Sequence, residues 1–163
     1  MDEFRIAVSK EGNLFAAAHF ITYADGLAEP LHGHNYRIGA EVWAPLDEHH
    51  LSFDFVRLKR EIEAVASELD HRILLAARNP DLPLERPSER EVVVRSGPDR
   101  YVFPARDVVV LDVPNTTAEM IAAWIADRLL ARLGDDAEPF TRIEVELEET
   151  TGQSATVRRE LQE

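Results

Sequence analysis

The stretch HGHNYRIGAEVWA, residues 32–44, repeats with a period of two. Tyr36, Ile38, Ala40 and Val42 place apolar groups on one side only. That pattern describes a strand with one buried face. A strand of this kind needs a neighbour, and the preceding sequence offers one. FRIAVSKEGNLFAAAHF, residues 4–20, begins with the same alternation at Phe4, Ile6 and Val8. Residues 22–30 contain Asp25, Gly26 and Pro30 and suit a loop. The two segments are expected to form a long hairpin.

Helices are expected on either side of a β-rich middle. Asp54 is placed to cap FVRLKREIEAVASELDH, where Phe55, Leu58, Ile62, Val65 and Leu69 recur at spacings of three and four. Residues 79–90 hold three prolines and suit a loop. EVVVR, RYVFP and DVVVLDV are short β-rich runs, with a hairpin expected at SGPD. In NTTAEMIAAWIADRLLARLG, Thr116 and Glu119 fit a capping box, Gly134 fits the position past the end, and Ile121, Trp124, Ile125 and Leu129 form a core stripe. TRIEVELEET and SATVRRE suit two closing strands around Gly152. Helices on one face of an antiparallel sheet, an α+β arrangement, is the simplest packing of this order. The 163 residues suit one domain, 1–163.

Composition removes several function classes. A net charge of −13 argues against nucleic acid and against anionic membranes as partners. The absence of cysteine excludes disulfides, thiolate-bound zinc and a thiol nucleophile. The start, MDEFRIAVSK, is acidic and lacks an apolar signal core, and no apolar run approaches a membrane span. A soluble cytoplasmic protein is the expectation.

The histidines carry the chemistry. Side chains two apart on a strand point the same way, so His32 and His34 offer two imidazoles to one point. Gly33 between them adds nothing to the opposite face. His19, near the end of the first strand, comes within reach if the strands pair. Three neutral imidazoles with an open fourth position form the pattern of catalytic zinc. Ordinary surface or core histidines are the alternative on these residues alone. His49 and His50 lie in an acidic turn and are expected to face solvent.

FAAAHF, LHGHNY, SFDFVRLK, LDH, NTTAE and EETTGQSA occur in an order and spacing that resemble the 6-pyruvoyl-tetrahydropterin synthase / 6-carboxy-tetrahydropterin synthase family. The resemblance covers most of the chain except about residues 78–110, which form an insertion with its own β-hairpin segment. It implies the tunnelling fold: a four-stranded antiparallel sheet with two helices on one face, closing into barrels as hexamers with active sites between subunits. It implies that His19, His32 and His34 bind zinc, which holds the side chain of a dihydropterin substrate. Glu149 matches the carboxylate that anchors the pterin ring, suited to two parallel hydrogen bonds. Thr117 lies where the family contacts the pterin, and Glu119 either does the same or only closes the capping box. Asp70 and His71 match a catalytic pair, the carboxylate orienting the imidazole for acid–base work.

Two departures bear on the reaction. The family's catalytic cysteine, four residues before the first histidine of HGH, is Ala28 here. Glu29 follows it, and EPLHGH fits a Glu-for-Cys variant of the family. That variant cleaves dihydroneopterin triphosphate to 6-hydroxymethyl-dihydropterin, on the folate route. A carboxylate one residue along would meet a different proton, that of the 2′-hydroxyl, and start a retro-aldol break, with His71 returning a proton to carbon. Leu75 also stands where the family has an asparagine. The alternatives are 6-carboxy-tetrahydropterin synthase for deazapurine synthesis, 6-pyruvoyl-tetrahydropterin synthase, and a non-catalytic zinc- and pterin-binding barrel. An anionic triphosphate needs local cations, for which Arg37, Lys59 and Arg72 are candidates.

Overall fold

The computed structural model describes residues 2–161. Met1, Gln162 and Glu163, the ends of the expected domain, lie outside the described residues. The alternating segment is one long strand, β3 (His32–Ala44). The segment before it is two strands, β1 (Phe4–Val8) and β2 (Leu14–His19), which pair with opposite halves of β3. A single 3₁₀ turn at Lys10–Gly12, capped by the Ser9 side chain, divides them. The expected hairpin is therefore present, with one arm kinked.

The remaining elements are α1 (Phe55–Leu69), β4 (Arg72–Ala76), β5 (Leu84–Ser88), β6 (Glu91–Ser96), β7 (Asp99–Pro104), β8 (Val108–Leu111), α2 (Ala118–Leu133), β9 (Arg142–Thr150) and β10 (Gln153–Glu160). The large sheet runs β10-β9-β3-β2-β4-β8, with β1 also on β3. Its antiparallel part, β10-β9-β3 with β1 and β2, is the expected four-stranded unit with one arm divided into two, so it has five strands. Two parallel strands extend it, β4 on β2 and β8 on β4. The extension was not anticipated. Leu74 and Leu75 are both buried, one on each face, so β4 lacks the alternation that marks a half-wet strand.

Both helices cover one face. Asp54 accepts a hydrogen bond from the Val56 amide and caps α1, and Gly134 ends α2 with φ 55°. Leu58, Ile62, Val65 and Leu69 of α1 and Ile121, Ile125 and Leu129 of α2 enter the main core with Tyr36, Ile38, Val42, Ile143 and Val145. Phe55 is exposed and drops out of the expected α1 stripe, while Trp124 is partly buried and packs against the main core as expected. The cap of α2 is Thr117, whose hydroxyl accepts from the Met120 amide, and not Thr116. Thr116 is buried and donates to the Phe20 carbonyl, so no capping box forms with Glu119. Across β9 and β10 the sheet's other face is polar: Lys10 meets Glu146 and Glu148 at 2.7 and 2.8 Å, and Arg158 meets Glu144 at 2.6 Å.

Residues 84–104 form a separate three-stranded sheet, β5-β6-β7. The hairpin β6–β7 turns through Gly97, φ 56°, as expected at SGPD. The proline-rich segment expected to be a loop supplies β5. Its pairing is irregular between Glu85 and Ser88, where Pro87 has no N–H to donate. A second core of Leu82, Val92 and Val94 packs on Phe20 and Leu75 of the large sheet. Leu75 thus supports the insertion.

Candidate metal centre and catalytic groups

His19 and His32 pair directly across β2 and β3, and Ala17 pairs with His34. Opposed residues share a face, so all three imidazoles lie on the helix side, beside the start of α2. Phe15 and Tyr36 stack at 4.8 Å next to them. The ring centroids of His19, His32 and His34 are 4.7–5.3 Å apart. Their ligand nitrogens lie within 4.8 Å of one another.

Each imidazole is oriented by a group outside the cluster. His19 Nδ1 lies 2.7 Å from the Thr116 carbonyl, and His32 Nδ1 2.8 Å from the Pro30 carbonyl. Carbonyls only accept, so both Nδ1 atoms carry a proton, and in the neutral ring that tautomer leaves Nε2 the lone pair. His34 Nδ1 lies 3.3 Å from the Thr150 hydroxyl, and its Nε2 is buried without a hydrogen-bond partner among the described residues. The Nε2 atoms of His19 and His32 are 3.2 Å apart. Tetrahedral zinc with bonds of about 2.0–2.1 Å holds its nitrogens roughly 3.3 Å apart. Burial pushes the His19 imidazole down to about 4, against the pull of the Thr116 carbonyl, with His32 and His34 adding to the depression. It is neutral at pH 7, the state a ligand requires. The residues fit a zinc ion.

Gly33 is required by this geometry. A Cβ there would lie 2.7 Å from the Ala17 carbonyl oxygen, on the neighbouring strand's backbone. Gly33→Ala should cost about 1–3 kcal/mol through overpacking and lower zinc affinity by parting β2 from β3. Thermal melts of the zinc-free variant, with a zinc titration, check this; an unchanged melt and affinity would show that the strands adjust.

Two carboxylates approach the imidazoles. Glu149 Oε1 is 3.6 Å from His19 Nε2 and 3.7 Å from His34 Nε2, and the Tyr36 hydroxyl donates to it at 3.4 Å. Burial and Glu149 raise the Tyr36 pKa, which keeps it a donor. Glu29 lies on the loop between β2 and β3, with Oε2 3.5 Å from His32 Nε2. Its Oε1 accepts from the Tyr23 hydroxyl, and that bond raises the Tyr23 pKa. Ala28, at the cysteine position, forms an isolated β-bridge with Thr22.

The other expected site residues stand apart. Asp70 Oδ2 is 2.9 Å from His71 Nδ1, so that pair exists. The Ala16 amide, donating to Asp70 Oδ1, holds its carboxyl below the ordinary value, with His71 adding to the effect. His71, at φ 56°, opens on a shallow depression with Ala18, Gly33, His34, Asn35 and Ile73. Ala18, Gly33, Asn35 and Ile73 alternate with the helix-facing residues, and His34 of the cluster lines the same depression. Among the described residues, no hydrogen bond or ion pair joins Asp70, His71, Thr117 or Glu119 to the cluster. Glu119 is exposed in the first turn of α2. Of the proposed cations, Arg37 pairs with Glu11 and Glu148 on the far face, Lys59 pairs with Glu63 on α1, and Arg72 donates to the Arg106 carbonyl. Tyr23 and Asn115 carry no sequence signal, and Tyr36 is read from the sequence only as part of a buried apolar face. The parity of Tyr36 with His34 was the available signal for it.

The profile of the 6-pyruvoyl tetrahydropterin synthase family matches residues 7–160. A Pyrococcus abyssi protein provisionally named 6-carboxy-5,6,7,8-tetrahydropterin synthase is 33% identical over 133 residues, 81% of this chain and 77% of its own. The 6-pyruvoyl tetrahydropterin synthase of Plasmodium falciparum is 26% identical, with a TM-score of 0.90 over 98% of this chain and 99% of that one. A Plasmodium vivax 6-pyruvoyltetrahydropterin synthase, solved with a glutamate described as a catalytic residue replaced by alanine, is 25% identical, with a TM-score of 0.91 over 99% of this chain and 100% of that one. The tunnelling fold expected from the motifs is the one present. A profile match across nearly the whole chain, over a fold of the same kind, means that this chain belongs to the 6-pyruvoyl tetrahydropterin synthase family.

Proposed function

We propose that the protein is a zinc-dependent lyase that cleaves the side chain of 7,8-dihydroneopterin triphosphate to 6-hydroxymethyl-7,8-dihydropterin, on the folate route. The observation that carries this reading is Glu29, a carboxylate 3.5 Å from His32 Nε2 in a chain without cysteine. The catalytic glutamate named in the Plasmodium vivax structure supports it, and Glu29 is the residue assigned to that role here. His19, His32 and His34 would hold the zinc, which when bound supplies a Lewis acid for the side-chain hydroxyls.

Glu29 takes the 2′-hydroxyl proton. The O–H electron pair becomes the second bond of a C2′ carbonyl, and the C1′–C2′ bond breaks. Its electrons are left on C1′, beside the pterin ring, and C1′ then takes a proton. The products are the hydroxymethyl-pterin and a two-carbon aldehyde that keeps the triphosphate. Glu149 anchors the ring, with Thr117 and Glu119 at the mouth of α2 on the same side. Asp70 and His71 make no hydrogen bond or ion pair with their own chain's cluster among the described residues, and we assign them to a substrate held between this chain and a neighbouring copy. That arrangement suits a barrel of six chains with shared sites, in the cytoplasm. No helix among the described residues is long and apolar enough to cross a membrane.

A second reading, 6-carboxy-tetrahydropterin synthase, is favoured by the provisional name of the Pyrococcus abyssi relative. Mass analysis of the product from 7,8-dihydroneopterin triphosphate separates them. A hydroxymethyl-pterin is expected. A carboxy- or pyruvoyl-pterin would overturn the first reading, and unchanged substrate would point to a binding protein.

A further inference from the structure

We propose that Asn115 is a positioning residue that registers the Glu29 loop against the histidine cluster. The inference rests on the reading of Glu29 as the base. Strand β2 ends at His19, and the loop beyond has only an isolated bridge between Thr22 and Ala28. Thr22 therefore needs partners for its outward N–H and C=O. The Asn115 carboxamide supplies both. Its Oδ1 accepts from the Thr22 amide at 3.3 Å, and its Nδ2 donates to the Thr22 carbonyl at 2.9 Å. A primary amide has the donor and acceptor of a peptide group, so Asn115 acts as a strand neighbour one residue long. Asn79, itself buried, donates to the Thr22 hydroxyl at 2.9 Å.

On its other side this short arm holds Glu29. The Glu29 amide donates to the Ile21 carbonyl at 2.8 Å, and the Tyr23 amide to the Leu27 carbonyl at 3.0 Å. The next residue along from Asn115 fixes the metal side. The Thr116 hydroxyl donates to the Phe20 carbonyl at 2.6 Å, and the Thr116 carbonyl receives the His19 Nδ1 proton at 2.7 Å. Asn115 Oδ1 also accepts from the Thr116 amide at 3.0 Å, which braces the pair. Consecutive residues thus hold a metal ligand and the loop that carries the base. Asn115 touches neither substrate position nor imidazole; its effect passes through Thr22 and Ile21.

The test uses two variants. Asn115→Asp keeps the shape but removes the donor to the Thr22 carbonyl; Asn115→Ala removes both bonds. Displacement of a reacting group by about 1 Å costs on the order of 100-fold. Both variants should lose about 10- to 100-fold in kcat with KM and zinc content unchanged. Amide hydrogen exchange across residues 21–29 should quicken with or without zinc, while exchange in β9 holds. Thr22→Val is the control for lost stability, since it strands Asn79 but keeps both bonds to Asn115; its kcat should stay near the parent value. Equal kcat losses in Thr22→Val and Asn115→Asp would reduce Asn115 to a stability role and overturn the proposal. So would unchanged exchange at residues 21–29. Full turnover in Glu29→Ala would instead sink the assignment of the base and leave the exchange result standing.

Discussion

Glu29→Ala should lower kcat on 7,8-dihydroneopterin triphosphate by roughly 10²–10⁴-fold, the range that a positioned general base contributes, while the protein keeps its zinc. The side chain is 35% exposed, so its loss leaves no cavity in either core. The three imidazoles take their orientation from Thr116, Pro30 and Thr150, not from Glu29. Metal content and melting should therefore stay close to the parent protein, and the loss should be chemical. Glu29→Gln refines the comparison. It keeps an acceptor for the Tyr23 hydroxyl and nearly the same volume, but has no basic lone pair. An equal loss in both variants assigns the effect to basicity. Turnover at the parent rate in either would remove Glu29 from the mechanism.

His19→Ala should take the chain from one zinc that survives dialysis to none. His19 is fully buried, and its Nε2 lies between the two other imidazoles and Glu149. Its loss also leaves the Thr116 carbonyl without its partner, a penalty of about 1–3 kcal/mol for a buried acceptor. The zinc-free variant should therefore melt below the zinc-free parent. Metal analysis after dialysis, with melts of both proteins in chelator, reads the two effects separately. Stoichiometric zinc in the variant would show that the metal binds elsewhere. Outer partners of a metal ligand typically cost 10–100-fold in affinity, so Thr150→Val, beside His34, should fall well short of His19→Ala.

The site's framework was legible where facing follows from a short period. His32 and His34 share a face by parity, and His19 joins them because β2 and β3 pair. The caps Asp54 and Gly134 were legible because they act within one turn. The cap of α2 was displaced by one residue for the opposite reason. Thr116 and Thr117 are equal candidates locally, and a carbonyl on Phe20, 96 positions away, decides between them. Strand β4 is not legible because RILLA buries leucines on both faces and follows α1 after only two residues, with no Gly or Pro to mark the turn. Asp70 and His71 were recognisable as a pair, but the side of the sheet they face depends on where β4 docks. Asn115 carries no periodic signal at all; its partner Thr22 is 93 residues away.

Phe20 and Leu75 face the insertion, while their immediate neighbours His19 and Leu74 face the helices. One peptide step thus separates the metal-bearing layer from the apolar surface beneath residues 84–104. A chimera that trims this segment to a plain loop would uncover Phe20 and Leu75 directly behind His19. Residues 84–104 and Leu75 are therefore exchangeable only as a pair, and any graft that replaces this segment must carry both or neither.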